Sequence, residues 1–189
     1  DYFCFLDSDD MLTTRSISSR IEFFEKNPKI SFVDGEVEII GDNVTGKIWE
    51  PVFKGNPYEE LILISGSCFF GVTWMIRRKD HIEYKFRPEL RNGEDLVFYL
   101  DILHQDREVE YDSVNEVVYK RFEVDKSASY NLSGLEHGYK KMLSILKDEH
   151  GVPARLLEAS KKRVRMILFK SYLSRLHLIN AFLILMKKI

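Results

Sequence analysis

Tyr2-Phe3-Cys4-Phe5-Leu6-Asp7-Ser8-Asp9-Asp10 decides how this chain is read. An unbroken apolar run followed at once by carboxylates predicts a buried strand whose carboxyl end opens onto a functional edge. In open α/β sheets, ligands collect at that end of the strands. Hard divalent cations such as Mg²⁺ or Mn²⁺ take oxygen ligands and keep water and substrate phosphate in their shell. One or two carboxylates there, Asp7 and Asp9, therefore suffice to hold a metal against a diphosphate. An acidic cap solvated by water explains the same residues, and the motif alone leaves both readings open.

Working outward, Ile17, Ile21 and Phe24 recur at i, i+4 and i+7 between Thr14 and Asn27, which predicts an amphipathic helix closed by Pro28. Ile30 to Ile40 predicts a strand, the stretch 41–46 a turn, and Lys47 to Val52 the second arm of a hairpin. Asn56-Pro57 opens a short helix through Leu63, and the aromatic, β-branched stretch Phe69 to Ile76 reads as a strand. Val109 to Tyr111 and Val114 to Phe122 are β-like. Beyond Ser133 the pattern is helical to about His150, Gly151-Val152-Pro153 breaks it, and one further long helix starts near Pro153 with apolar positions from Leu156 to Ile179.

A second acidic pair follows a glycine in Gly93-Glu94-Asp95, ahead of a helix to about His104 with Leu96, Tyr99, Leu100 and Leu103 on one face. The positive end of the helix dipole favours an ionised carboxylate there by about 0.3 to 1 kcal/mol. A carboxylate kept ionised can take a proton, although an ordinary acidic cap has the same signature. Three further residues carry paired readings. Trp74 is a platform for a sugar or a core indole; Arg121 approaches a diphosphate or makes a surface ion pair; Glu94 binds a hydroxyl or only caps its helix. The five histidines form no close metal-ligand cluster in sequence.

Taken together, these segments resemble family 2 glycosyltransferases of the GT-A fold. The Asp-x-Asp strand end of that family is matched by residues 2–10, and its Glu-Asp helix start with a following Phe by residues 86–98. Val118-Tyr119-Lys120-Arg121 followed by Ser127-Ala128-Ser129 is similar to the Tyr-Arg and Ser-x-Ser stretch after the last strand. The resemblance covers about residues 1 to 130. It implies an α/β, GT-A-type mixed sheet flanked by helices, with the N-terminal nucleotide-binding half absent and C-terminal helices added. It departs from the family around Trp74, where the Trp-x-Lys pattern is missing.

By that resemblance, Asp7 would contact donor ribose or metal, Asp9 would coordinate Mn²⁺ or Mg²⁺, and Asp95 would deprotonate the acceptor hydroxyl. Glu94, Trp74 and Arg121 would bind substrate. The donor would be a nucleotide-diphosphate sugar, a UDP-sugar being expected, and the acceptor a saccharide or lipid-linked sugar. No nucleic-acid partner is expected, and the expected location is cytoplasmic, with the inner face of the membrane as a variant.

Charge divides the chain. Residues 1–134 hold 16 Lys and Arg against 26 Asp and Glu, whereas residues 135–189 hold 12 against 4, so an acidic body carries a basic tail within a net charge of -2. Apolar residues at 44% and charged residues at 31% exclude disordered, collagenous and membrane-spanning classes. This predicts a partial glycosyltransferase domain over 1–132 and a basic helical extension over 133–189. Two readings of the extension stay open: packing on the domain, or a peripheral membrane contact. Cys4 and Cys68 lack metal-site spacing and read as reduced, packed thiols. Rival functions are a non-catalytic glycosyltransferase-like module and a haloacid-dehalogenase-like phosphatase. The latter shares Asp-x-Asp but continues to Thr or Val where this chain has Met11.

Overall fold

The computed structural model of the chain describes residues 1–41, 46–123 and 131–186. Their elements are β1 (Tyr2–Cys4), β2 (Met11–Leu12), α1 (Ser16–Lys26), β3 (Ile30–Ile40), β4 (Lys47–Trp49) and α2 (Tyr58–Ile62), then β5 (Met75–Arg77), α3 (Glu94–Gln105), β6 (Glu110–Phe122), α4 (Leu132–Asp148), α5 (Ala154–Ser174) and α6 (Leu178–Met186). The fold is mixed α/β. Ser127-Ala128-Ser129 and most of the 41–46 turn lie outside the described residues.

One sheet runs in the order β1-β5-β3-β6-β2, with β4 also paired to β3. β3 and β6 are parallel and form its spine, while β4 and β5 lie antiparallel to β3. β1 is antiparallel to β5, and β2 to β6, so β1, β3 and β6 point the same way. Register along the spine breaks around Gly35, Glu36 and Val37. Below the break β3 carries β5; above it β3 carries β4, and β6 carries β2. The loop 5–10 therefore crosses from the lower half of the sheet to the upper half.

Several expectations change. β1 closes one end of the sheet and is only partly buried, because nothing among the described residues pairs with its outer edge. Of the expected 69–76 strand only Met75 and Ile76 pair in the sheet, as part of β5. The residues ahead of it fold back, with Trp74 Nε1 donating to Cys68 O at 2.8 Å. The two β-like stretches after 108 form one continuous strand, β6. The last long helix is two: α5 ends at Ser174, Leu176 takes a φ of 60°, and α6 turns back on α5, with Phe169 and Phe182 in edge contact.

In α1 only part of the apolar stripe marks the buried face: Phe24 is fully buried and the partly buried Ile21 packs against its cluster. Ile17 is exposed, while Ser16, Ser19, Arg20 and Phe24 face inward. A guanidinium tolerates burial only when its donors are met. Arg20 meets this condition: Nε donates to Ser16 O (2.8 Å), Nη2 to Ser16 Oγ (2.6 Å) and Nη1 to Thr73 O (2.8 Å). Close by, the fully buried Asp34 accepts from Thr73 Oγ1 at 2.9 Å and from Tyr111 OH at 3.4 Å. Burial pushes its carboxyl up to about 7, against the opposing pull of these donors and of Arg20.

The main core joins the sheet to the C-terminal helices. Phe32, Trp74, Tyr99 and Tyr111 belong to one hydrophobic cluster with Leu61 and Ile62 of α2, Met142 and Leu146 of α4, and Leu157, Val164 and Leu168 of α5. Helices α4 to α6 thus share the core of the first segment instead of building their own. Cys4 and Cys68 are free thiols, and burial pushes Cys68 up to about 12, which keeps it protonated and unreactive.

Candidate active site

The loop after β1 is fastened at both ends to the upper half of β6. Asp7 N donates to Tyr119 Oη at 3.2 Å, and Asp10 Oδ1 accepts from Phe122 N at 2.9 Å. A turn bond from Asp10 N to Asp7 O (3.1 Å) closes the loop between these anchors. Ser8 and Asp9 are left exposed at its crest. Asp10 is thus a structural member of the motif, spent on holding β6, whereas Asp7 and Asp9 present their carboxylates outward.

Across from this loop stands the start of α3. Gly93 sits at its N-cap with a φ of 73°, a left-handed conformation that admits glycine cheaply and turns the chain abruptly into the helix. Glu94 and Asp95 fall in the first turn. The expected face of α3 is buried, as are Val97, Phe98 and Ile102, so packing fixes the helix on most sides.

The two acidic segments, far apart in sequence, meet in one electrostatic cluster. Asp7 is pushed above its ordinary value by burial first, then by Asp10 and Asp9, with Glu94 adding and Arg121 opposing. Asp95 is raised to about 6 by burial first. The 2.7 Å bond from Leu96 N to its Oδ1 opposes that rise, and the charges of Glu94 and Asp7 reinforce it. Like charges crowded together in this way favour bound protons or a cation.

Other elements wall the cluster. The 66–74 segment brings Gly71 beside Asp95, where an added Cβ would lie 3.5 Å from Oδ2. Arg121 lies over the Phe70 ring at 5.2 Å, and Phe70 packs on Trp49 with centroids 5.1 Å apart. Burial and the Asp95 charge push the Tyr139 phenol of α4 up, while Arg163 of α5 pulls it down. The C-terminal helices therefore reach the same acids.

Asp7, Asp9, Glu94, Asp95 and Arg121 are brought together. Trp74 is not: it is fully buried and packs on Phe32, Tyr99 and Tyr111, so its indole offers no face to a sugar. Sequence reading gave Tyr119 only as part of the Tyr-Arg match, not as an anchor of the loop after β1, and missed Tyr139 and the Trp49–Phe70 pair, whose only signal was aromatic content in segments that do not neighbour the acids in the chain.

As a cation site, the donor set is hard oxygen, and its crowded negative charge is what a divalent ion would relieve. Among the described residues no three His, Cys, Asp or Glu side chains group closely enough to enclose a metal. The fit is thus to an ion held by one or two carboxylates that completes its shell with water and phosphate. Neither a protein-family model nor a curated protein sequence matches this chain.

Proposed function

We propose that the chain is the metal and acceptor side of an inverting GT-A-type glycosyltransferase resembling family 2. It would transfer a sugar from a nucleotide-diphosphate donor, a UDP-sugar by expectation, to a hydroxyl of a saccharide or lipid-linked acceptor. The observation that carries this reading is the convergence of Asp7 and Asp95 in one cluster, with Arg121 as its opposing charge.

Each acid then has a task. Asp95, raised to about 6, is mostly ionised at neutral pH yet basic enough to accept a proton in the transition state. It takes the proton of the acceptor hydroxyl as that oxygen bonds to the anomeric carbon. The bond from that carbon to the diphosphate breaks, and the electron pair leaves with the diphosphate. Asp7 and Asp9 would hold the Mn²⁺ or Mg²⁺ ion, which neutralises charge on the departing diphosphate. Arg121, stacked on Phe70, adds a fixed cation on the same side. Glu94 stands beside the base and is placed to receive an acceptor hydroxyl.

The test is a screen of nucleotide sugars and saccharide acceptors with the full-length protein, with and without Mn²⁺, repeated with Asp9→Ala and Asp95→Asn. Metal-dependent transfer abolished by either change is the expected result. Transfer that ignores the metal and survives both changes would refute the mechanism. Absence of transfer with every donor would favour the non-catalytic glycosyltransferase-like interaction module.

A further inference from the structure

A second feature stands apart from the acidic cluster. α6 buries only Ala181 and Ile184, and the rest of its apolar side chains face outward. Ile179 is 78% exposed, Phe182 62% and Met186 83%, and Leu176, in the turn before the helix, is 84% exposed. Ile179, Phe182 and Met186 recur at i, i+3 and i+7, so they share one face. Met166 and Leu173 of α5 are also exposed, and the partly buried Phe169 touches Phe182, which continues the apolar surface from one helix to the other. An exposed apolar surface of this extent is costly in water and marks a contact site.

The charge around this surface selects its occupant. Between residues 159 and 186 the chain has six Lys and Arg, namely Lys161, Lys162, Arg163, Arg165, Lys170 and Arg175, and no Asp or Glu. Lys162 and Lys170 are exposed, whereas Lys161 pairs with Glu158 and Arg163 donates to Ile64 O. A second copy docking through the same face about a two-fold axis would set like charges against one another. An anionic lipid surface instead offers headgroups to the cations and acyl chains to the apolar side chains. No described helix is long and apolar enough to cross a membrane. The nine residues of α6 rise only about 13 Å, under half of the ~30 Å hydrocarbon layer, so the helix can lie in the interface but not span it.

We propose that the α5–α6 hairpin docks on the surface of an anionic phospholipid bilayer, with Ile179, Phe182 and Met186 inserted and the α5 cations over the headgroups. This holds whether or not the acidic cluster transfers sugar.

Flotation of the full chain with vesicles tests the proposal, comparing pure phosphatidylcholine with phosphatidylcholine mixed with phosphatidylglycerol. Binding is expected on the mixed vesicles at low salt and weakening at high salt. Ile179→Glu combined with Phe182→Glu should weaken it about ten- to hundredfold or more, since burial of even one large apolar side chain is lost. Both positions are exposed, and an unchanged thermal midpoint would verify that the variant folds. Lys162→Glu with Lys170→Glu should abolish the preference for phosphatidylglycerol while leaving the midpoint unchanged. Failure to float with mixed vesicles at low salt, or equal flotation of the Ile179/Phe182 variant, overturns the proposal. So does a dimer that this variant disperses in the absence of any flotation, which would assign the face to a second copy.

Discussion

Asp34 on the central strand β3 and Asp95 in the first turn of α3 both hold their protons more tightly than an ordinary carboxyl, yet they sit in regions organised in opposite ways. Around Asp34 every neighbouring influence opposes burial: Thr73, Tyr111, the Gly35 backbone and the Arg20 charge all favour the ionised form. Around Asp95 two backbone N–H groups, those of Leu96 and of Asp95 itself, do so, while Glu94 and Asp7 add repulsion to burial. Donors reach Oδ2 of the interior acid while its Oδ1 is buried without a hydrogen-bond partner; the acid at the start of α3 is raised further by like charges beside it.

Asp95→Asn gives the sharpest separation of the two. It should reduce transfer by about 10² to 10⁴, the usual contribution of a positioned base, without unfolding the chain. Because the folded chain binds the Asp95 proton more tightly than the unfolded chain, the stability it contributes is full below its ordinary 3.8 and is lost as pH rises through about 6. The variant should therefore match the parent below this window and be the more stable protein above it, by on the order of 1–2 kcal/mol in urea titration. In the parent, transfer should fall as pH drops through about 6; a rate that stays flat there would remove Asp95 from the chemistry.

Gly138→Ala tests the cleft without touching an acid. In an open helix this change gains up to about 1 kcal/mol, but here the new Cβ would collide with the carbonyl oxygen of Asn92, one residue before Gly93. Backbone cannot swing aside as a side chain can, so a loss of about 1–3 kcal/mol is expected. A shift of even ~1 Å in the α3 start would cost up to about a hundredfold in transfer. Stability that rises on denaturant titration would show that the contact is slack.

Asp34→Asn is the smallest intervention. Transfer should be unchanged, and the decline in stability between 3.8 and about 7 that the interior acid imposes should flatten. A curve as steep as that of the parent would assign the titration to another group.

The same contrast explains what the sequence disclosed. α3 was legible because its apolar positions and its acidic first turn agree on one placement. β3 was legible from its length and β-branched content, although residues 31–35 are buried in succession and only the stretch from 36 to 40 alternates. α1 was misread at Ile17 because helical periodicity cannot anticipate an arginine whose donors are all met by Ser16 and Thr73. The 69–76 run has strand composition, yet most of it bends around Asp95, and propensity does not register that demand. Within the site, Asp7, Asp9, Glu94, Asp95 and Arg121 were readable from local motifs. Tyr139 and the anchoring contact of Tyr119 were not, since both exist only after distant segments meet.

The core shared by α3, α4 and α5 limits how this architecture can be subdivided. A chain cut after β6 would leave the hydrophobic flank of α3 facing water and the Asn92–Gly93 corner without its buttress. Any shuffling of this acidic cleft onto another sheet would have to carry α4 and α5 with it. The smallest heritable unit of the acidic cluster is thus the sheet with helices α1 to α5, whereas α6, among the described residues, contributes only Ala181 and Ile184 to that interior.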